Sequence, residues 1–262
     1  MANNIHFAPN YFHNPTHPIS VILIGVGGTG SLVLTRLARI DFALKELGHA
    51  GLDVTAFDND TVERNNIGRQ NFSISDIGEN KAFALIGKIN LAFGLHWNAI
   101  TEHYSFNNRE TPKKANIFIT CVDSGKFRDK FNVWYNSDDL DGSYSYNKPF
   151  YWLDLGNSKK QGQFVLGSKK IEQPKSNKFN TIEKLKTIVE RFGTTEKYDT
   201  IEIQGNSCSY NSKLNQQSLF INDLMSVYAT DLLFELIHTK RITKQGAFVN
   251  LETFKTNPIN LF

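Results

Sequence analysis

Only two cysteines, two methionines and seven prolines occur among 262 residues. Two thiols far apart in sequence cannot build a disulfide framework or a closed structural zinc site, so we expect no zinc and a reducing, cytoplasmic compartment. Long apolar runs are also missing. Nothing approaches 18 consecutive apolar residues, so no membrane span is expected. The opening MANNIHFAPNYFHNPTHP has no basic segment followed by an apolar one, and we read no secretory leader in it. Strong charge of either sign is lacking too. Lys and Arg number 29 against 26 Asp and Glu, a net charge of +3, which is too mild to argue for nucleic acid. Residues 1–18 hold three histidines whose spacing fits neither a helix face nor a strand face; they read as solvated side chains on an irregular arm.

What remains is enough for one α/β domain of the larger kind, here 19–262. Ile19 to Ile24 is a short apolar run that reads as a buried parallel strand. Gly25-Val26-Gly27-Gly28-Thr29-Gly30 follows at once and opens a helical pattern reaching about Leu47. In such a G-x-G-x-x-G turn, Gly25 allows the tight bend, Gly27 lets backbone approach phosphate, and Gly30 lets helix pack on strand. Gly28 belongs to the same candidate cradle. The helix start then offers unpaired N–H groups to an anion. Alone, this motif says nucleotide and no more.

Leu52 to Phe57 is a second apolar strand, ending in Asp58, where a carboxylate can hold ribose hydroxyls. Asp58-x-Asp60-x-Val62-Glu63-x-x-Asn66-x-x-Arg69-Gln70 then packs acids, an amide and a guanidinium into one connection over 58–79. A structureless stretch of that length inside a compact domain is usually functional. A helix over about 80–95 puts Lys81 in its first turn, a position mildly unfavourable to a cation unless a phosphate lies near. Further strands are expected at 99–104, 116–122, 150–155 and 163–166. An amphipathic helix is expected over 181–192, a long helix up to about His238, and a closing hairpin over 246–262. Asp123 falls at the carboxyl end of the 116–122 strand, where ligands of open α/β sheets bind. Cys121 alternates to another register and reads as a small buried residue.

These motifs resemble the ThiF/MoeB/E1 superfamily, whose members activate ubiquitin-like proteins and sulfur carriers with ATP. The segments GVGGTGS, NIGRQNFSISDIGENKA and YWLDLGN look most like the ThiF-like member of the PRTRC cassettes of bacterial plasmids and mobile elements. The resemblance implies a Rossmann-like three-layer α/β fold, a mixed sheet with a parallel N-terminal half and an antiparallel C-terminal half. A crossover would occupy about 168–210. It also implies adenylation of the C-terminal carboxylate of a small β-grasp carrier, ATP and Mg²⁺ as cofactors, and a homodimer. Carried over residue by residue, Asn66, Arg69 and Lys81 face the polyphosphate and Gln70 orients phosphate or Arg69. Asp60 supports from behind, and Asp123 is the magnesium ligand. Arg128, in the element C-x-D-x-x-x-x-R, supports Asp123, binds nucleotide or serves the fold. Cys208 falls where some members carry an acyl-accepting thiol; alternatively it is an ordinary residue of an enzyme that stops at the adenylate. The arm 1–18 contains no arginine, so an arginine lent across a dimer is not expected from it. A nucleotide-binding scaffold without turnover and an NAD-dependent oxidoreductase are the competing readings. The latter has no need of Arg69, Lys81 and Asp123 together.

Overall fold

The computed structural model describes residues 4–106, 114–137, 140, 146, 148–197 and 218–262. Its centre is an eight-stranded mixed sheet. The strands are β2 (Ile19–Ile24), β3 (Leu52–Phe57), β4 (Asn98–Ile100), β5 (Ile117–Thr120), β6 (Tyr151–Asn157), β7 (Gln161–Ser168), β10 (Lys244–Asn250) and β11 (Lys255–Asn260), in the order β11-β10-β7-β6-β5-β2-β3-β4. Strands β4, β3, β2, β5 and β6 run parallel; β7, β10 and β11 continue antiparallel. A small sheet, β8-β1-β9, joins β1 (Asn4–Phe7), β8 (Asn180–Thr181) and β9 (Arg241–Ile242).

Side chains on a strand alternate between faces, and the core divides accordingly. Val21, Leu23, Val54, Ala56, Ile117, Ile119, Leu153 and Leu155 pack in one cluster beneath α1 (Gly28–Glu46), α2 (Lys81–Phe93) and α5 (Ile221–His238). Their neighbours Ile22, Ile24, Phe57, Phe118 and Trp152 point the other way, onto α3 (Gly125–Tyr135) and the short α4 (Ile188–Phe192). The result is three layers. The second cluster is mostly aromatic: Phe118, Phe131, Tyr135 and Trp152 are fully buried, with Phe131 and Trp152 ring centres 4.8 Å apart. Burying one such side chain is worth about 1.5–3 kcal/mol.

Two expectations are corrected. The arm 1–18 is not irregular throughout, and its histidines are not all solvated. Asn4–Phe7 is the central strand of the small sheet, and Asn10–His13 forms a 3-10 turn with Phe12 completely buried. His6 is buried, its Nδ1 2.6 Å from the Ile182 carbonyl and its Nε2 2.9 Å from the Tyr151 hydroxyl. Burial depresses its pKa to about 4. The amphipathic stretch 181–192 is helical only from Ile188. Before that, the Ile182 amide donates to Ile5, Ser168 and Leu185 exchange hydrogen bonds, and the Lys186 carbonyl accepts from Gln245. Those backbone groups are already paired in extended form. Thr187 and Glu190 then start the helix with reciprocal capping bonds.

Candidate functional site

The parallel strands run outward from the β2–β5 boundary in both directions, β3 and β4 on one side and β6 on the other. The order therefore reverses between β2 and β5, and a crevice opens at their carboxyl ends. The glycine turn follows β2 there. Gly25 has φ +91°, and a Cβ on it would lie 2.8 Å from the Cys121 carbonyl oxygen at the tip of β5. A Cβ on Gly30 would lie 1.8 Å from the Gly25 oxygen, so only glycine lets α1 approach this closely. Gly27 differs. Among the described residues, a Cβ there meets nothing within 4 Å, and Gly27 caps α1 without any side-chain hydrogen bond. The start of this 19-residue helix is thus open to an anion at Gly27 and carries no competing side-chain acceptor. Cys121 is half-buried against the core beneath the turn, and burial pushes its thiol well above the ordinary range.

Asp58 ties the tip of β3 to this turn. Its Oδ2 accepts from the Val26 amide at 2.6 Å and its Oδ1 from the Asp60 amide at 2.8 Å. Burial raises its pKa against the opposing pull of those amides and of Lys81. Each oxygen keeps a second lone pair for a ribose hydroxyl. Asn80 closes the connection from behind. Its side chain caps α2 and donates to the carbonyls of Asp58 at 2.8 Å and Asp60 at 3.1 Å. Lys81 follows. Its side chain is 9% exposed and its ammonium lies 2.8 Å from Asp60 Oδ2, whose own side chain is 62% exposed. Asp60 therefore holds a nearly buried cation from the solvent side.

Asn66 organises the next turn. Its Oδ1 accepts from the Glu63 amide at 2.8 Å, and its backbone oxygen accepts from the amides of Arg69 and Gln70. The Asn71 amide and side chain then dock on Ser31 and Thr35 of α1. Arg69 and Gln70 are thereby held against the first turns of α1. Among the described residues, the buried Gln70 Oε1 has no hydrogen-bond donor.

Asp123 is exposed just past β5, immediately before Ser124, whose hydroxyl caps α3. Arg128 sits behind it and is buried. Its Nε bonds both oxygens of Asp154 at 2.8 and 3.1 Å, and one terminal nitrogen donates to the carbonyls of Val122 at 2.6 Å and Leu155 at 3.0 Å. Thr120 and the Trp152 indole complete that network. Arg128 thus grips the backbone that carries Asp123, and these contacts serve the fold. Among the described residues, no three His, Cys, Asp or Glu side chains gather as a metal site. Mg²⁺ asks for less: one or two carboxylates, with nucleotide phosphates and water completing the shell, a demand Asp123 fits.

A family model described as the ThiF family matches residues 14–146, just over half of the chain. The chain belongs to the ThiF family. Comparison with curated protein sequences gives no match. Among solved structures, MccB from E. coli superposes with a TM-score of 0.59 at 16% identity, covering 92% of this chain and 62% of MccB. PaaA gives 0.58 at 17% identity, covering 93% and 64%. A structure of MccB with ATP gives 0.56 at 16% identity, over 92% and 63%. The chain therefore spans less than two thirds of the length of these structures. At such identities the likeness establishes the fold: the mixed sheet of parallel and antiparallel halves that the motifs imply.

The ThiF match spans every candidate residue from Gly25 to Arg128. Cys208 lies outside the described residues, as does 198–217 around it. Beyond the match lie residues that motif reading missed. Asp154 pairs with Arg128, and Asn222 with Asn157 pack a buried amide cluster against Gly28 and Thr29. Asp154 left a signal, a lone acid inside the apolar run YWLDL. Asn222 left none.

Proposed function

We propose that this chain uses ATP to adenylate the terminal carboxylate of a peptide or a small carrier protein. The observation that carries the reading is the uncapped start of α1, open at Gly27 and joined to the tip of β5 at the point where strand order reverses. Phosphates bind at such a helix start, with Arg69, Lys81 and the Gln70 side chain ranged along the neighbouring connection. Asp58 takes the ribose, and Asp60 keeps Lys81 oriented. The incoming carboxylate attacks the α-phosphorus; the α–β bridging bond breaks, giving an acyl adenylate and pyrophosphate. No covalent help is needed from the protein, only positioning and neutralisation of charge. Asp123 would hold Mg²⁺, which supplies charge compensation to the phosphates.

On the substrate side, MccB structures carry MccA together with AMPCPP. For this chain we favour a small β-grasp carrier as substrate, as the PRTRC-like motifs imply, with the chain itself a homodimer in the cytoplasm. Acyl transfer onto Cys208 is the further step that its thiol permits. ATP–pyrophosphate exchange with candidate β-grasp proteins from the same genomic neighbourhood, run beside short peptides, tests the reading. Carrier-dependent exchange is expected. Tight ATP binding without exchange under any substrate would make the chain a scaffold, and NAD binding in place of ATP would make it an oxidoreductase. A reductant-sensitive carrier adduct that vanishes in Cys208→Ala tests the acceptor step.

A further inference from the structure

We infer that Asn222 is a positioning residue for the phosphate cradle: its side-chain amide fixes the start of α1 to the end of β6. The nucleotide consequence rests on the adenylation reading; the clamp itself does not. Asn222 lies in the first turn of α5 and is 1% exposed. Its Oδ1 accepts two hydrogen bonds, from the Thr29 hydroxyl at 2.9 Å and from the Asn157 side-chain nitrogen at 2.8 Å. Thr29 belongs to the first turn of α1, and Asn157 is the last residue of β6. One carbonyl oxygen therefore joins α1 and β6 to α5 by hydrogen bonds. The fit is close on the cradle side as well. A Cβ on Gly28 would lie 2.7 Å from the Asn222 nitrogen and 3.0 Å from its carbonyl carbon. At Gly28 the Asn222 side chain stands where a Cβ would go, whereas a Cβ on Gly27, one residue earlier, meets none of the described residues within 4 Å.

A phosphate cradle made of backbone amides works by orientation. An amide that tilts away from the phosphate loses most of its interaction energy, since hydrogen bonds weaken steeply below about 120°. The glycines of the turn impose little backbone restraint of their own. Within α1 the Ser31 hydroxyl donates to the Gly28 carbonyl at 3.2 Å; from outside α1, Asn222 bonds Thr29 and lies against Gly28.

The test compares Asn222→Ala with Ile237→Val, a buried change about four turns further along the same helix. Asn222→Ala removes the shared acceptor and is expected to weaken ATP binding about tenfold or more by calorimetry, the scale of a small misplacement of a binding group. Ile237→Val should lower the melting temperature without altering ATP affinity. Hydrogen exchange of the ligand-free protein should speed up at Ser31 to Leu34 in Asn222→Ala only, and Asn222→Asp, which keeps the acceptor oxygen, should restore protection there. Equal ATP affinity in Asn222→Ala and Ile237→Val overturns the inference. Wild-type protein that takes up no ATP defeats the adenylation reading instead; the clamp is then judged by exchange alone, and unchanged exchange in Asn222→Ala overturns it.

Discussion

The two ends of the parallel strands are built on opposite plans. At the carboxyl end, Asp60 and Asp123 are exposed, Asp58 is half-buried, and Gly27 faces open space. Charged groups there are gripped through backbone or a single partner, with capacity to spare. At the amino end, the small β8-β1-β9 sheet lies over the start of β6. His6 bonds Tyr151, and Phe12 packs between Phe150 and Tyr151 at ring distances of 5.6 and 5.7 Å. Every polar atom of the His6 ring is paired and out of water. One end is open and carries the proposed site, and the other seals a core, so substitutions at the two ends should separate activity from stability.

The largest effect is expected at the sealed end. Phe12→Ala should cost about 3–5 kcal/mol in urea unfolding, as for other buried aromatics, while ATP affinity of the folded fraction stays at the wild-type value. A parallel fall in ATP affinity would break the comparison. The His6 pair makes the same end pH-sensitive. Its pKa is 6.5 as a free side chain and about 4 when folded, so the unfolded chain binds a proton that the folded one refuses. Stability is therefore whole above about pH 6.5, falls as pH drops, and stops falling below about pH 4; the swing is about 3 kcal/mol at most. His6→Gln should flatten that slope in melts taken across the window, and an unchanged slope would assign it elsewhere.

At the open end the readout changes. Asp123→Ala should lower ATP–pyrophosphate exchange about 10²-fold or more, the scale of one lost preorganised contact, with unfolding nearly unaltered because the side chain is exposed. Wild-type exchange in that variant would remove Asp123 from the site. The smallest effect belongs to Asn80→Ala, which removes the cap of α2 and two bonds to the Asp58–Asp60 backbone. About 1 kcal/mol of stability is expected from the cap. A rise in the concentration of ATP needed for half-maximal exchange would sharpen the contrast, since this position serves both plans.

Local pattern revealed much of this. The run ISVILI, the glycine turn and the helix after it appear as β2 and α1 within a residue of their expected bounds. Asp58 and Asp123 sit at the strand tips that their place after apolar runs implied. Each of these is a signal contained within about twenty residues. The misses are contacts across long separations. Asn4–Phe7 is too short and too mixed to declare itself, and becomes a strand because β8 and β9 flank it. The stretch 181–187 has helical periodicity, yet its backbone is already paired with residues near 5, 168, 171 and 245. Amphipathic spacing reports which side chains can be buried together, and an extended segment lying along a sheet can bury them too.

The sequence by itself determined the elements whose signal is local: the apolar runs of the first parallel strands, the helices α1 and α2, the glycine turn and the acids that follow the strands. It also carried the ThiF family signature. The tertiary structure alone decided how those groups are held. That Arg128 spends itself on Asp154 and the Val122 carbonyl, that Asp60 faces Lys81, and that the Asn222 side chain lies against residue 28 follow from which distant segments meet. A buried polar group must find its partner wherever the fold brings one, and sequence distance places no bound on where that is.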